Sequence, residues 1–140
     1  MSVDDGLRPI FRKWLPMLDQ QSIESGGVGR GIPDTNWAGL GAEGWIEYKA
    51  TGGYAVTLRP EQIGWIARRV RHGGRVHVAV RRRNSGGIRR GPPIDELWLF
   101  HGCYVKTARV LGLRGLNDVH RWSGGPTSWC WDEILTVLTA

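Results

Sequence analysis

Glu24, Asp34, Glu47 and Lys49 fall within one stretch, QSIESGGVGRGIPDTNWAGLGAEGWIEYKAT, running from Gln21 to Thr51. Three carboxylates offer the hard oxygen ligands that a divalent cation takes, and a lysine beside them adds a compact positive charge. Together they suit a site that breaks phosphodiester bonds. Such a cation lowers the pKa of a bound water, and the positive charges balance what accumulates on phosphorus. The chemistry requires that the chain bring these groups together, so the surrounding elements decide its worth.

Successive side chains of a strand point to opposite faces, and residues two apart share a face. Trp45 to Ala50 reads as a strand whose Ile46, Tyr48 and Ala50 enter the core, while Glu47 and Lys49 leave together from the other side. An isolated pair of opposite charges in that position equally suits a solvated sheet surface. Glu43 is a rival acidic ligand, but it falls in the AGLGAEG turn, off the alternation that pairs Glu47 with Lys49. Asp34 follows Pro33 and opens an extended segment through Trp37. Between Glu24 and Asp34, the glycines of SGGVGRG permit positive φ and close backbone approach. This loop matches neither GxxxxGK[ST] nor a GxGxxG that opens a helix, so it is not read as a nucleotide-phosphate loop.

Leu7, Ile10, Phe11, Trp14, Leu15 and Leu18 recur at three- and four-residue spacing, which predicts a helix that lies as a lid on the core. Pro9 is tolerable in its first turn and Pro16 kinks or ends it. Thr57 to His72 reads as a second helix, with Pro60 near its start and Gly73 and Gly74 as its stop. Arg75 to Val80 alternates like a half-buried strand, and Arg81 to Pro93 reads as an exposed, basic, mobile loop. Asp95 to Phe100 is a buried-strand candidate. Thr127 or Ser128 is placed to cap a last helix bearing Ile134, Leu135 and Leu138, whereas 106–126 carries no clear pattern. The order helix, strand, strand, strand, helix, strand predicts one α/β domain over 1–140, with a mixed central sheet flanked by helices. Its core spans about 7–105 and a C-terminal extension about 106–140.

A chain of 140 residues with 41% hydrophobic and 23% charged residues is of ordinary soluble composition, with no apolar run long enough to span a bilayer. The N-terminus lacks the apolar core of a signal peptide, so a cytoplasmic protein with no membrane partner is the expectation. The net charge is +6, and 16 of the 19 basic residues are arginine, whose planar fork matches phosphate oxygens. A nucleic-acid partner follows, with plain solubility as the alternative use of that charge. Arg68, Arg69, Arg71 and the Arg81, Arg82, Arg83, Arg89 and Arg90 cluster are the candidate phosphate contacts, the loop cluster ahead of the helix. Cys103 and Cys130 lie far apart without a CxxC, and both are expected reduced and structural. His101, Cys103, His120 and Cys130 fit no usual zinc spacing. Trp37, Trp65, Trp98 and Trp122 could stack on unpaired bases, but tryptophans at apolar positions usually belong to the core.

GIPD at Gly31 to Asp34, IEYK at Ile46 to Lys49 and LRPEQ at Leu58 to Gln62 resemble the PD-(D/E)xK nuclease superfamily. IES before GIPD and WIEYKA after Gly44 narrow the resemblance to phage-encoded endonucleases of the Holliday-junction-resolvase type. The likeness covers about 21–82. It implies a restriction-endonuclease-like core and a Mg²⁺ site, with Mn²⁺ able to substitute. Asp34, Glu47, Glu24 and the backbone carbonyl of Tyr48 would bind the metal, Lys49 would contact the attacking water or scissile phosphate, and Gln62 would sit near them. Arg30, in the glycine loop, joins the implied DNA contacts. The resemblance further implies a DNA endonuclease selective for Holliday junctions or branched DNA, working as a homodimer in the host cytoplasm if phage-encoded. A non-catalytic, basic nucleic-acid-binding protein with an unused nuclease-like site is the other reading.

Overall fold

The computed structural model describes residues 4–24 and 31–140. The expected order of elements is present: α1 (Leu7–Trp14), β1 (Asp19–Ser22), β2 (Thr35–Gly39), β3 (Ala42–Thr51), α2 (Pro60–Arg71), β4 (Val76–Asn84) and β5 (Ile94–His101). Beyond them come α3 (Val105–Leu111), β6 (His120–Trp122) and α4 (Trp131–Thr139), in and after the stretch that the sequence left unread. One six-stranded mixed sheet runs β1-β2-β3-β4-β5-β6, so strand order follows chain order. Only β3 and β4 are parallel among these neighbours, joined by α2 as the crossover that such a pair requires.

Helices cover both faces of the sheet, which explains why β4 is buried from Val76 through Arg81. On one face Val76, Val78 and Val80 pack against Ile63, Trp65 and Ile66 of α2 and Val105 and Ala108 of α3. On the other, Ile46, Tyr48, Ala79, Leu97 and Leu99 meet Leu7, Phe11 and Leu15 from α1 and its end, and Ile134 and Leu138 of α4. α1 stops at Trp14, ahead of Pro16 as the ring sterics demand. The lid reading therefore holds, and Leu7 and Phe11 are fully buried.

Four expectations are corrected. β4 continues through Arg81 to Asn84, because Arg81, Arg82 and Arg83 each find a carboxylate, so the exposed basic turn begins only at Ser85. α2 starts at Pro60 rather than Thr57, as the fixed φ of proline suits the first helical position. The residue before α4 is Cys130, with no side-chain cap, so neither Thr127 nor Ser128 fills that role. Cys103 and Cys130 are free but exposed, hence not part of the core. No helix among the described residues is long and apolar enough to cross a membrane.

Candidate active site

The β2–β3 register pairs Thr35 with Ile46, and one further step sets Asp34 opposite Glu47. Asp34 is held from three sides. Its Oδ2 accepts the Tyr48 N–H at 2.8 Å, and its Oδ1 lies 3.4 Å from Arg8 Nη2 of α1. Its carbonyl accepts from Arg8 Nη1 at 3.2 Å and from the Ile23 N–H at 2.8 Å. In an extended strand N–H and C=O of one residue point the same way, so the Tyr48 carbonyl faces this same edge.

Glu47 and Lys49 share the β3 face beneath the start of α2, as alternation predicts, but this face is covered rather than solvated. Glu47 is only 3% exposed. Its Oε2 accepts from Gln62 Nε2 at 2.9 Å and lies 3.5 Å from Lys49 Nζ. Gln62 Oε1 in turn accepts from Lys49 Nζ at 3.0 Å and from the Arg59 N–H at 3.0 Å. Two donors at the amide oxygen fix which end of Gln62 faces Glu47. Gln62 is thus a buried bridge, not a half-exposed helix residue.

Local sequence explains this placement. Pro60 opens α2, and a glutamine at the third helical position reaches back to the N–H ahead of the helix. Gly31 has φ +76°, and a Cβ there would sit 2.0 Å from the Glu61 carbonyl oxygen. Only glycine lets the chain leading into Asp34 lie directly on the first turn of α2.

Burial, and next the Asp34 carboxylate, push the Glu47 pKa up to about 8 against the opposing pull of Lys49. Two crowded carboxylates, one of them reluctant to ionise in the protein alone, are a donor set suited to a divalent cation that completes its shell with water. Glu24 does not join them: it is exposed, just past the Ile23 that pairs with Asp34. Among the described residues no three His, Cys, Asp or Glu side chains converge to hold a metal ion. The site is therefore two carboxylates, a lysine and a glutamine, and the mixed His/Cys zinc set is likewise not assembled.

Comparison with known proteins gives no match. No family model, curated protein or solved structure is similar enough to this chain to count. The arrangement therefore stands on its own geometry.

The expected phosphate contacts divide. Arg81 is 7% exposed and grips Asp95 with both ends of its fork, at 2.8 and 2.7 Å, while donating to the Asp5 carbonyl. Arg82 bonds Glu96 and the Gly53 carbonyl, and Arg83 bonds Asp5. Arg68, Arg69, Arg71, Arg89 and Arg90 are exposed, with Arg69 lying over the rings of Trp45 and Trp65. Arg30 lies outside the described residues. Trp37, Trp65 and Trp98 are core, as apolar position suggested.

Sequence reading missed Arg8, whose approach to Asp34 spans 26 residues and leaves no local signal. It also missed the sandwich of Tyr54 between Arg82 at 3.9 Å and Arg114 at 3.7 Å. Arg82 pairs with Thr51, two residues past Lys49 on the same face, so this stack flanks the site. Arg114 sits in the region without pattern, and its use depends wholly on tertiary packing.

Proposed function

We propose that the chain is a divalent-metal-dependent DNA endonuclease. The observation that carries the reading is the convergence of Asp34, Glu47, Lys49 and Gln62, four groups from the three parts of the PD…ExK…Q pattern, around the interior strand β3. Asp34, Glu47 and the Tyr48 carbonyl would hold Mg²⁺, or Mn²⁺ in its place. When bound, the cation would supply an acidified water and charge neutralisation at phosphorus. Lys49 sits where its ammonium can meet the attacking water or a non-bridging phosphate oxygen, stabilising negative charge as it develops. Gln62 keeps Lys49 and Glu47 at fixed separation, which limits the reorganisation needed for reaction. Arg8 neutralises Asp34 on the side away from Lys49.

The net charge of +6 and the exposed arginines favour phosphate contacts that position DNA without reading its sequence. Preference for junctions or branches, and a homodimer that cuts two symmetric strands, extend this reading by resemblance. Cleavage of four-way junction, flap, nicked and linear duplex DNA, with Mg²⁺, Mn²⁺ or chelator, tests it. Metal-dependent cutting of a branched substrate is the expected result. Binding without cutting of any substrate under either metal would favour the non-catalytic alternative.

A further inference from the structure

A cavity of about 940 Å³ opens at the end of the sheet where β3 gives way to Gly52, between the β4–β5 turn and the Ser123–Gly124 loop. Gly52 lies three residues beyond Lys49 along β3, about 10 Å at the rise of an extended strand. One DNA strand can therefore touch both places. A cleft of this volume admits a ligand of small-molecule size and excludes a duplex, which is far wider.

The charges of the cleft point to what it takes. Asp95 and Glu96 line it, but each is already engaged, Asp95 by Arg81 at 2.7 Å and Glu96 by Arg82 at 2.9 Å. Arg83 pairs with Asp5 through Nη2 and keeps a side chain 43% exposed. Arg90 is exposed and has no partner among the described residues. The lining of the cleft therefore includes guanidinium donors of Arg83 and Arg90 not spent on carboxylates, apolar surface from Pro93 and Ile94, and hydroxyls from Ser85 and Ser123. Cationic groups along a backbone path beside apolar surface and small hydrogen-bonding groups suit an unpaired nucleotide.

We propose that this cleft holds unpaired nucleotides of the same DNA strand whose phosphate reaches Lys49, so that the enzyme selects DNA with a single-stranded or frayed arm. Direction of use rests on the nuclease reading; binding does not. Arg90 and Arg83 take the phosphates, and the base lies on Pro93 and Ile94.

The test is fluorescence anisotropy of the full chain with a short labelled oligothymidylate and with a linear duplex, both in Ca²⁺ so that binding is read without turnover. Arg90→Glu, and separately Ser123→Trp to fill the cleft, each weaken oligothymidylate binding by about tenfold, the loss expected for one charged contact. Ser123→Trp changes duplex affinity less than twofold, Arg90→Glu lowers it less than it lowers oligothymidylate binding, and unchanged thermal melting excludes misfolding. Oligothymidylate binding that both variants leave intact overturns the proposal, as does an equal loss on duplex. Cleavage is scored separately on a flap: cutting that ignores both variants sinks the cleft and spares the nuclease, while cleft-dependent binding with no cutting sinks the nuclease and spares the cleft.

Discussion

Gln62 Nε2 donates to Glu47 Oε2 at 2.9 Å, joining the first turn of the crossover helix to the strand that it follows. The same amide accepts from Lys49, so one side chain sets the spacing of the Glu47 carboxyl and the Lys49 ammonium in the proposed site. Gln62→Ala removes the hydrogen bonds to buried Glu47, to Lys49 and to the Arg59 N–H. The expected loss is about 1.5–3 kcal/mol of folding stability by denaturant melts. Single-turnover cleavage should fall by about tenfold or more while DNA affinity holds. Unchanged cleavage would remove Gln62 from the site.

The raised pKa of Glu47 gives a stability profile of definite sign. The folded protein, free of divalent cations, keeps a proton on Glu47 up to about pH 8, whereas the unfolded chain releases it near the ordinary glutamate value of 4.5. The native state thus binds more protons across that window. Its stability contribution from Glu47 is present below pH 4.5, declines as pH rises toward 8 and is level above. The total is on the order of a few kcal/mol. Glu47→Gln should therefore lose this fall, and the stability difference between variant and wild type should widen from pH 5 to pH 8. Parallel melting curves would contradict it.

Gly31→Ala places a Cβ against the Glu61 carbonyl and strains a left-handed backbone. The expected cost is about 1–3 kcal/mol in denaturant melts, with slower cleavage because the segment leading into Asp34 must move off α2. A variant as stable and as active as wild type would refute the close packing.

Arg81→Met leaves Asp95 without its bidentate partner and the Asp5 carbonyl without its donor, although Arg83 still holds the Asp5 carboxylate. Breaking one side of a buried pair typically costs about 3–5 kcal/mol. The expected signature is a large stability loss with DNA affinity of the folded protein nearly unchanged, since this arginine fastens α1 to the sheet. A selective loss of DNA binding would return it to the phosphate contacts.

Alternation placed Glu47 and Lys49 on one face, and proline and glycine marks gave α1 and α2 within a few residues. Those signals are local, and local physics decided them. Arg81 to Arg83 looked like a loop because a run of charge resembles a solvated turn. Their partners, Asp5, Asp95 and Glu96, stand on other elements, so only the fold reveals that the strand continues. Glu24 illustrates the reverse: nearness in sequence to Asp34 did not bring its side chain into the site, because Ile23 takes the position opposite Asp34. Arg8 and Arg114 reach the site or its flank from distant segments, beyond what spacing can show.

The most direct measurement is single-turnover cleavage of a four-way junction or flap in Mg²⁺ by wild type, Glu47→Gln and Lys49→Ala, alongside DNA binding in Ca²⁺. The account predicts metal-dependent cutting by wild type and a loss of about a hundredfold or more in each variant, with binding kept. Equal cleavage by wild type and Glu47→Gln would contradict it.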